Sequence, residues 1–335
     1  MRHFVLAAAV VCTPLAVAAN PSISGIIDEH ILPRFETLAA TSRVLSKAAA
    51  QDCNPTSDDF RAAYGLAFDA WISASHLRFG PTEVDDRAFA LAFWPDSRGA
   101  TPKALASLIA EEDPIGLDAQ AYREVSIAAR GFYALEFLLY DDALMKADNS
   151  AYHCNLVQTV AADIAATSSA IYDDWKTNHI DVLSSPAPGA TYRSNEEVLQ
   201  EMLRALSAGL QFTQDSRLGR PLGTFERPRP TRAEARRSQR SAKNVALSLM
   251  SLQDLASHLA VSDPAVSATL NRQFEDALNK LEKLKDPTFA GVANPQSRLK
   301  VEVISQSVGT IRTTVQTKLG PTLGVAAGFN SLDGD

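Results

Sequence analysis

Apolar residues return every third or fourth position along almost the whole chain, and no stretch alternates in and out, so the backbone is limited to helices and the core to the faces between them. Ile26, Ile27, Ile31, Leu38, Val44 and Leu45 form the first such stripe, on a helix reaching about Ala50. Pro33 predicts a break or kink inside it, because proline has no N–H to give to the preceding turn. Ser57, Asp58 and Asp59 mark the next start, and Phe60, Tyr64, Phe68, Trp71 and Ile72 carry its stripe until Gly80 and Pro81 stop it. Residues 80–102, with Trp94, Pro95 and Gly99, read as an irregular excursion, and long excursions are commonly functional. Shorter helical pieces follow at 103–111 and 118–127, the second running into 131–140. A long helix from about 148 through His153, Ile164, Ile171 and Trp175 completes the first half.

Ser184, Ser185, Pro186, Pro188 and Gly189 have linker composition, which places a boundary at 185–193. Beyond it the pattern predicts helices at 195–216, 231–260, 264–285 and 295–319. The expected fold is therefore all-α: two related up-and-down helical bundles, residues 20–184 and 194–322, with a loop-like acidic tail over 323–335. A chain of 335 residues with 46% hydrophobic content can fill two such cores.

The first 19 residues have the order of a secretory signal: Arg2, an apolar run from Phe4 to Val11, then small residues from Ala16 to Ala19. An acyl anchor on Cys12 competes with this reading, but Val10 and Val11 stand where small residues would be required. No later window reaches ~20 uninterrupted apolar residues, so no transmembrane segment is expected. The expected location is the periplasm of a Gram-negative bacterium. With the leader removed, Cys53 and Cys154 remain, and an exported chain with one such pair predicts a disulfide closing a 101-residue loop, two separate buried thiols being the alternative. A formal charge of −7 argues against nucleic acid as a partner.

Chemistry is concentrated in two places. Glu136 stands inside the apolar run GFYALEFLLY, and an ionised carboxylate there needs a cation, a metal or several hydrogen-bond donors. The segment from Arg217 to Lys243 holds eight arginines and one lysine but only Glu226 and Glu234 as acids, a basic patch on an acidic protein. Arginine suits carboxylates and anionic ligands through its planar fork. Arg237 and Arg240, read as helical, would face the other bundle, with Ser238 and Ser241 adding hydroxyls. His76 and Arg78, near the end of the second helix, are further cleft candidates, although their charge also complements the helix dipole. Asp254 and His258 lie four residues apart and permit a pair. His30, His76, His153, His179 and His258 belong to no H-E-x-x-H or H-x-x-E arrangement. No Gly-rich phosphate loop or G-x-S-x-G turn is present.

The segment GFYALEFLLY resembles the G-x-H-x-x-E helix of imelysin-like proteins. The resemblance extends to AFDAWISASHLRFGP, to RLGRPLGTFERPRPTRAEARRSQRSAKNV and to GVAAGFNSLDGD. It implies an all-helical, iron-regulated envelope protein of two related bundles, with a site at their interface around the motif, in a family classed with metallopeptidases. Gly131 and Glu136 match the motif; Tyr133 stands in the histidine's place. A phenol is a poor zinc ligand at neutral pH, although deprotonated it binds ferric iron, so enzymatic activity is not the leading expectation. That expectation is a non-catalytic binding or accessory protein handling iron or haem. Arg130, Tyr133 and Glu136 would line one wall of its cleft and Arg237, Ser238 and Arg240 the other. The alternatives are a metal-dependent hydrolase recruiting a ligand such as His76, and a structural envelope protein docking to a periplasmic redox partner.

Overall fold

The computed structural model describes residues 20–145 and 150–324, and among these there is no strand. The predicted leader and most of the acidic tail lie outside the described residues. The longer helices are α1 (Leu32–Gln51), α2 (Asp58–Ala74), α3 (Ala100–Glu111), α4 (Gly131–Tyr140), α5 (Ser150–Asp174), α6 (Asn195–Gln211), α7 (Ser241–Leu259), α8 (Pro264–Leu284) and α9 (Pro295–Thr314). In the first half α1 packs on α2 and α5, and α4 lies on α5. In the second, α7 packs on α6 and α8, and α8 on α9. Helices α2 and α7 touch across the halves, and one continuous apolar core runs from Phe35, Phe68 and Trp175 to Leu252, Phe274 and Ile311. Fully burying one side chain of this size contributes about 1.5–3 kcal/mol.

The break expected at Pro33 is a π-helical turn over Ile26–Ile31, in which the Leu32 N–H reaches back to the Ile27 carbonyl. The wider turn absorbs the bond that proline cannot make. Cys53 and Cys154 are joined with their Cα atoms 5.2 Å apart, tying the end of α1 to the start of α5. Closing a loop of 101 residues restrains the unfolded chain by roughly 4–5 kcal/mol in the chain-entropy model.

Three stretches differ from the sequence expectation. Helix α2 ends at Ala74, short of Gly80, so His76 and Arg78 follow the helix instead of riding on it. Residues 118–127 form short 3₁₀ turns at Ala121–Glu124 and Ile127–Ala129. The expected helix at 231–260 begins only at Ser241, because Ala235 and Gln239 take positive φ of 45° and 57° and the chain folds as a compact loop before it. That loop carries the arginines toward α4.

Candidate functional site

Gly131 sets the position of α4. Its φ is +75°, and a Cβ there would lie 2.2 Å from the Leu91 carbonyl oxygen, so only glycine lets the helix begin against the Ala90–Leu91 backbone. That approach puts Tyr133 beside Trp94, the rings stacked 6.2 Å apart, with Phe68 edge-on at 5.3 Å.

One turn further on, Glu136 is 3% exposed. Its Oε1 accepts two hydrogen bonds from Ser238, from the backbone N–H at 2.9 Å and from the hydroxyl at 2.8 Å. In a helix the Ser238 N–H would point back along its own backbone; the loop leaves it free to meet the acid. Oε2 has no hydrogen-bond partner among the described residues. Burial raises the pKa of Glu136, while the Ser238 donors and the charges of Arg237 and Arg236 work against that rise.

Tyr133 does not join Glu136. Its hydroxyl donates to Glu234 Oε1, and Glu234 Oε2 accepts from Arg217 Nε at 2.9 Å. Arg217 in turn donates to Ser248 Oγ at 3.0 Å. Burial and the Glu234 carboxylate push the Tyr133 phenol well above its ordinary pKa, so it stays protonated.

Tyr133 and Glu136 border a cleft of about 240 Å³, whose polar wall also includes Arg220, Arg232, Arg236 and Arg237, with Trp94 as its aromatic face. Of the residues singled out in the sequence, Tyr133, Glu136 and Arg237 line it and Ser238 holds Glu136. Arg237 also pairs with Asp141 at 2.8 Å and lies over the Phe137 ring. Arg240 is elsewhere, bound to Asp69 and over Phe68. Arg130 turns away entirely and pairs with Asp163, because the Arg130 backbone is extended and precedes the first turn of α4. Arg78 pairs with Glu83 and covers Phe89 at the surface.

His76 sits in a separate buried cluster. Its Nε2 is 2.9 Å from His30 Nε2, and His30 Nδ1 is 2.7 Å from Asp254, which also binds Arg34 at 2.9 Å. The partner of Asp254 is thus His30 from the first half; His258 stands 4.0 Å off. Burial lowers the pKa of His30 to about 4 and that of His76 well below its ordinary value.

Sequence reasoning missed Arg217, Glu234, Arg220 and His30 as members of these clusters. Arg217, Arg220 and Glu234 left a signal only as members of the arginine-rich segment, and His30 left none.

An all-helical fold with a cleft roofed by an arginine-bearing loop over a Gly-x-x-x-x-Glu helix defines the class. The chain belongs to the imelysin family, whose model matches residues 31–314. It is similar to "Iron-regulated protein A" of Synechococcus elongatus, 21% identical, covering 91% of this chain and 87% of that protein. Among solved structures it resembles an imelysin-like protein from Psychrobacter arcticum, with TM-score 0.77 and 20% identity over 92% of this chain and 96% of that one. An iron-regulated protein A precursor from Parabacteroides distasonis is also similar, with TM-score 0.73 and 13% identity over 89% and 95% of the two chains.

Directly bound iron does not fit the side chains of this cleft. A ferric or haem iron requires imidazole, thiolate or oxygen ligands. Among the described residues no three His, Cys, Asp or Glu side chains are grouped to hold a metal. At the cleft, Asp96 commits its oxygens to the Ala100 and Thr101 N–H groups, and Tyr133 keeps its proton on Glu234, which leaves Glu136 Oε2.

Proposed function

We propose that this chain is an exported, periplasmic, non-catalytic binding or accessory protein in iron or haem handling. In this reading two helical bundles, residues 20–184 and 194–322, meet at the cleft beside Glu136, which is the binding site. The observation that carries the reading is Glu136 itself, a buried acid at the cleft with one oxygen held by Ser238 and the other without a hydrogen-bond partner among the described residues. The names of the relatives support the connection with iron, and the word precursor in one of them agrees with the leader at residues 1–19. Among the described residues no helix is long and apolar enough to cross a membrane.

The test is iron-limited growth of cells carrying Glu136→Ala in place of the native protein. Reduced iron acquisition is expected, with a purified variant that melts close to the native protein. Full complementation would remove the cleft from the function, and a variant that unfolds would make the acid structural. The peptidase class attached to the family favours a second reading, a metal-dependent hydrolase. His76, the ligand that reading would recruit, is engaged with His30 away from the cleft. Stoichiometric zinc in protein purified without chelator or affinity tag would revive it.

A further inference from the structure

The cleft carries more positive charge than its own carboxylates balance. Of the arginines on its wall, Arg237 meets Asp141 and Arg236 donates to the Thr231 carbonyl. Arg220 and Arg232, on the cleft wall, make no hydrogen bond or close ion pair among the described residues, and Arg220 Nε is buried without an acceptor. The nearby Asp96 gives its oxygens to backbone N–H groups and offsets part of the Arg220 charge through space, which leaves Arg232 without a counter-charge on the wall. An enclosed N–H of a charged group without an acceptor is unfavourable, and two guanidinium groups facing one space repel each other. An anion in that space relieves both penalties. The Arg220 guanidinium lies over the Trp94 ring, 5.8 Å from its centroid, and both line the cleft.

Across the cleft Glu136 Oε2 asks for the opposite partner, a donor. At about 240 Å³ the space lies below the ~300–1,000 Å³ of sites for drug-sized ligands. We infer that the cleft binds a small hydroxylated oxyanion, whose carboxylate or phosphate groups lie against Arg220 and Arg232 and whose hydroxyl donates to Glu136 Oε2. The inference rests on the cleft being the binding site and specifies its ligand class. Iron then arrives, if at all, inside an anionic hydroxycarboxylate chelate, and the free acid and the chelate offer the same recognition groups.

Titration calorimetry of the full mature chain with citrate, ferric citrate and propane-1,2,3-tricarboxylate, which lacks the hydroxyl, tests this. Citrate or its ferric complex is expected to bind, and whichever binds more tightly identifies the source. The analogue lacking the hydroxyl should bind about tenfold more weakly, the worth of one hydrogen bond. An Arg220→Gln/Arg232→Gln double variant should lose at least about 100-fold, since charge-assisted bonds contribute ~1.5–3 kcal/mol each. If that variant does not fold, the exposed Arg232→Gln alone should weaken binding and reduce its salt dependence. Absence of binding by both probes at millimolar concentration, or equal binding by the arginine variant, overturns the inference. Such a failure, with iron acquisition still impaired in Glu136→Ala cells, removes only the ligand class. Citrate binding with unimpaired acquisition in those cells removes the functional reading instead.

Discussion

Two arginine neighbourhoods flank α4, a buried one at Arg130 and a half-buried one at the cleft, and they differ in whether their hydrogen bonds are complete. Arg130, before the helix, meets Asp163 twice, Nε to Oδ2 at 2.9 Å and Nη2 to Oδ1 at 2.7 Å, and gives a third bond to the Arg123 carbonyl. That pair is closed and offers nothing to a ligand. At the cleft, among the described residues, Arg220 lacks an acceptor for Nε and Glu136 keeps an oxygen without a donor. Both regions place charge in the interior. What separates a fastening from a receptor is the unfilled hydrogen-bonding capacity.

Asp163→Ala gives the largest expected effect on stability. It strands Arg130 in the interior, and breaking such a pair costs about 3–5 kcal/mol, read as a lowered urea midpoint. A loss below about 1 kcal/mol would show that the pair is not a fastening and erase the contrast. Acid comes next, through the equally closed cluster of His30, His76, Asp254 and Arg34. With the folded pKa of His30 lowered to about 4, the unfolded chain takes up its proton first as pH falls. Stability is then intact above about pH 6.5 and declines toward pH 4, by about 3 kcal/mol for His30 alone. Unfolding midpoints unchanged between pH 7 and 4.5 would contradict this. The smallest effect belongs to the cleft. Glu136→Gln keeps an oxygen for both Ser238 donors and removes a buried charge, so its unfolding free energy should stay within about 1 kcal/mol of the native value. A loss above about 3 kcal/mol would move Glu136 into the same category as Asp163.

Most of the fold is legible in the order of residues. The stripes of α1, α5, α8 and α9, the break at Pro33 and the Cys53–Cys154 bond all follow from local periodicity, proline chemistry and a single cysteine pair. The site was legible in part. An acid in an apolar run announces that it needs a partner, and Glu136 has one. Which partner it takes depends on the loop at 233–240, whose positive-φ residues are alanine and glutamine, side chains that do not advertise such a turn. Read as a helix, that loop directs guanidinium groups at the acid; folded as it is, it presents a serine hydroxyl and a backbone N–H. Arg130 and Arg78 were misassigned for a similar reason. Their acids, Asp163 and Glu83, carry no mark in the sequence that pairs them with a particular arginine.

The contact at Gly131 reaches beyond its own turn. Because the helix start abuts the Leu91 carbonyl, the strip carrying Trp94 and the helix carrying Tyr133 and Glu136 share one mechanical datum. Adding a single methyl at that glycine would push the tryptophan wall and the acid out of register together, disturbing both sides of the opening from a position that is not among the residues lining it.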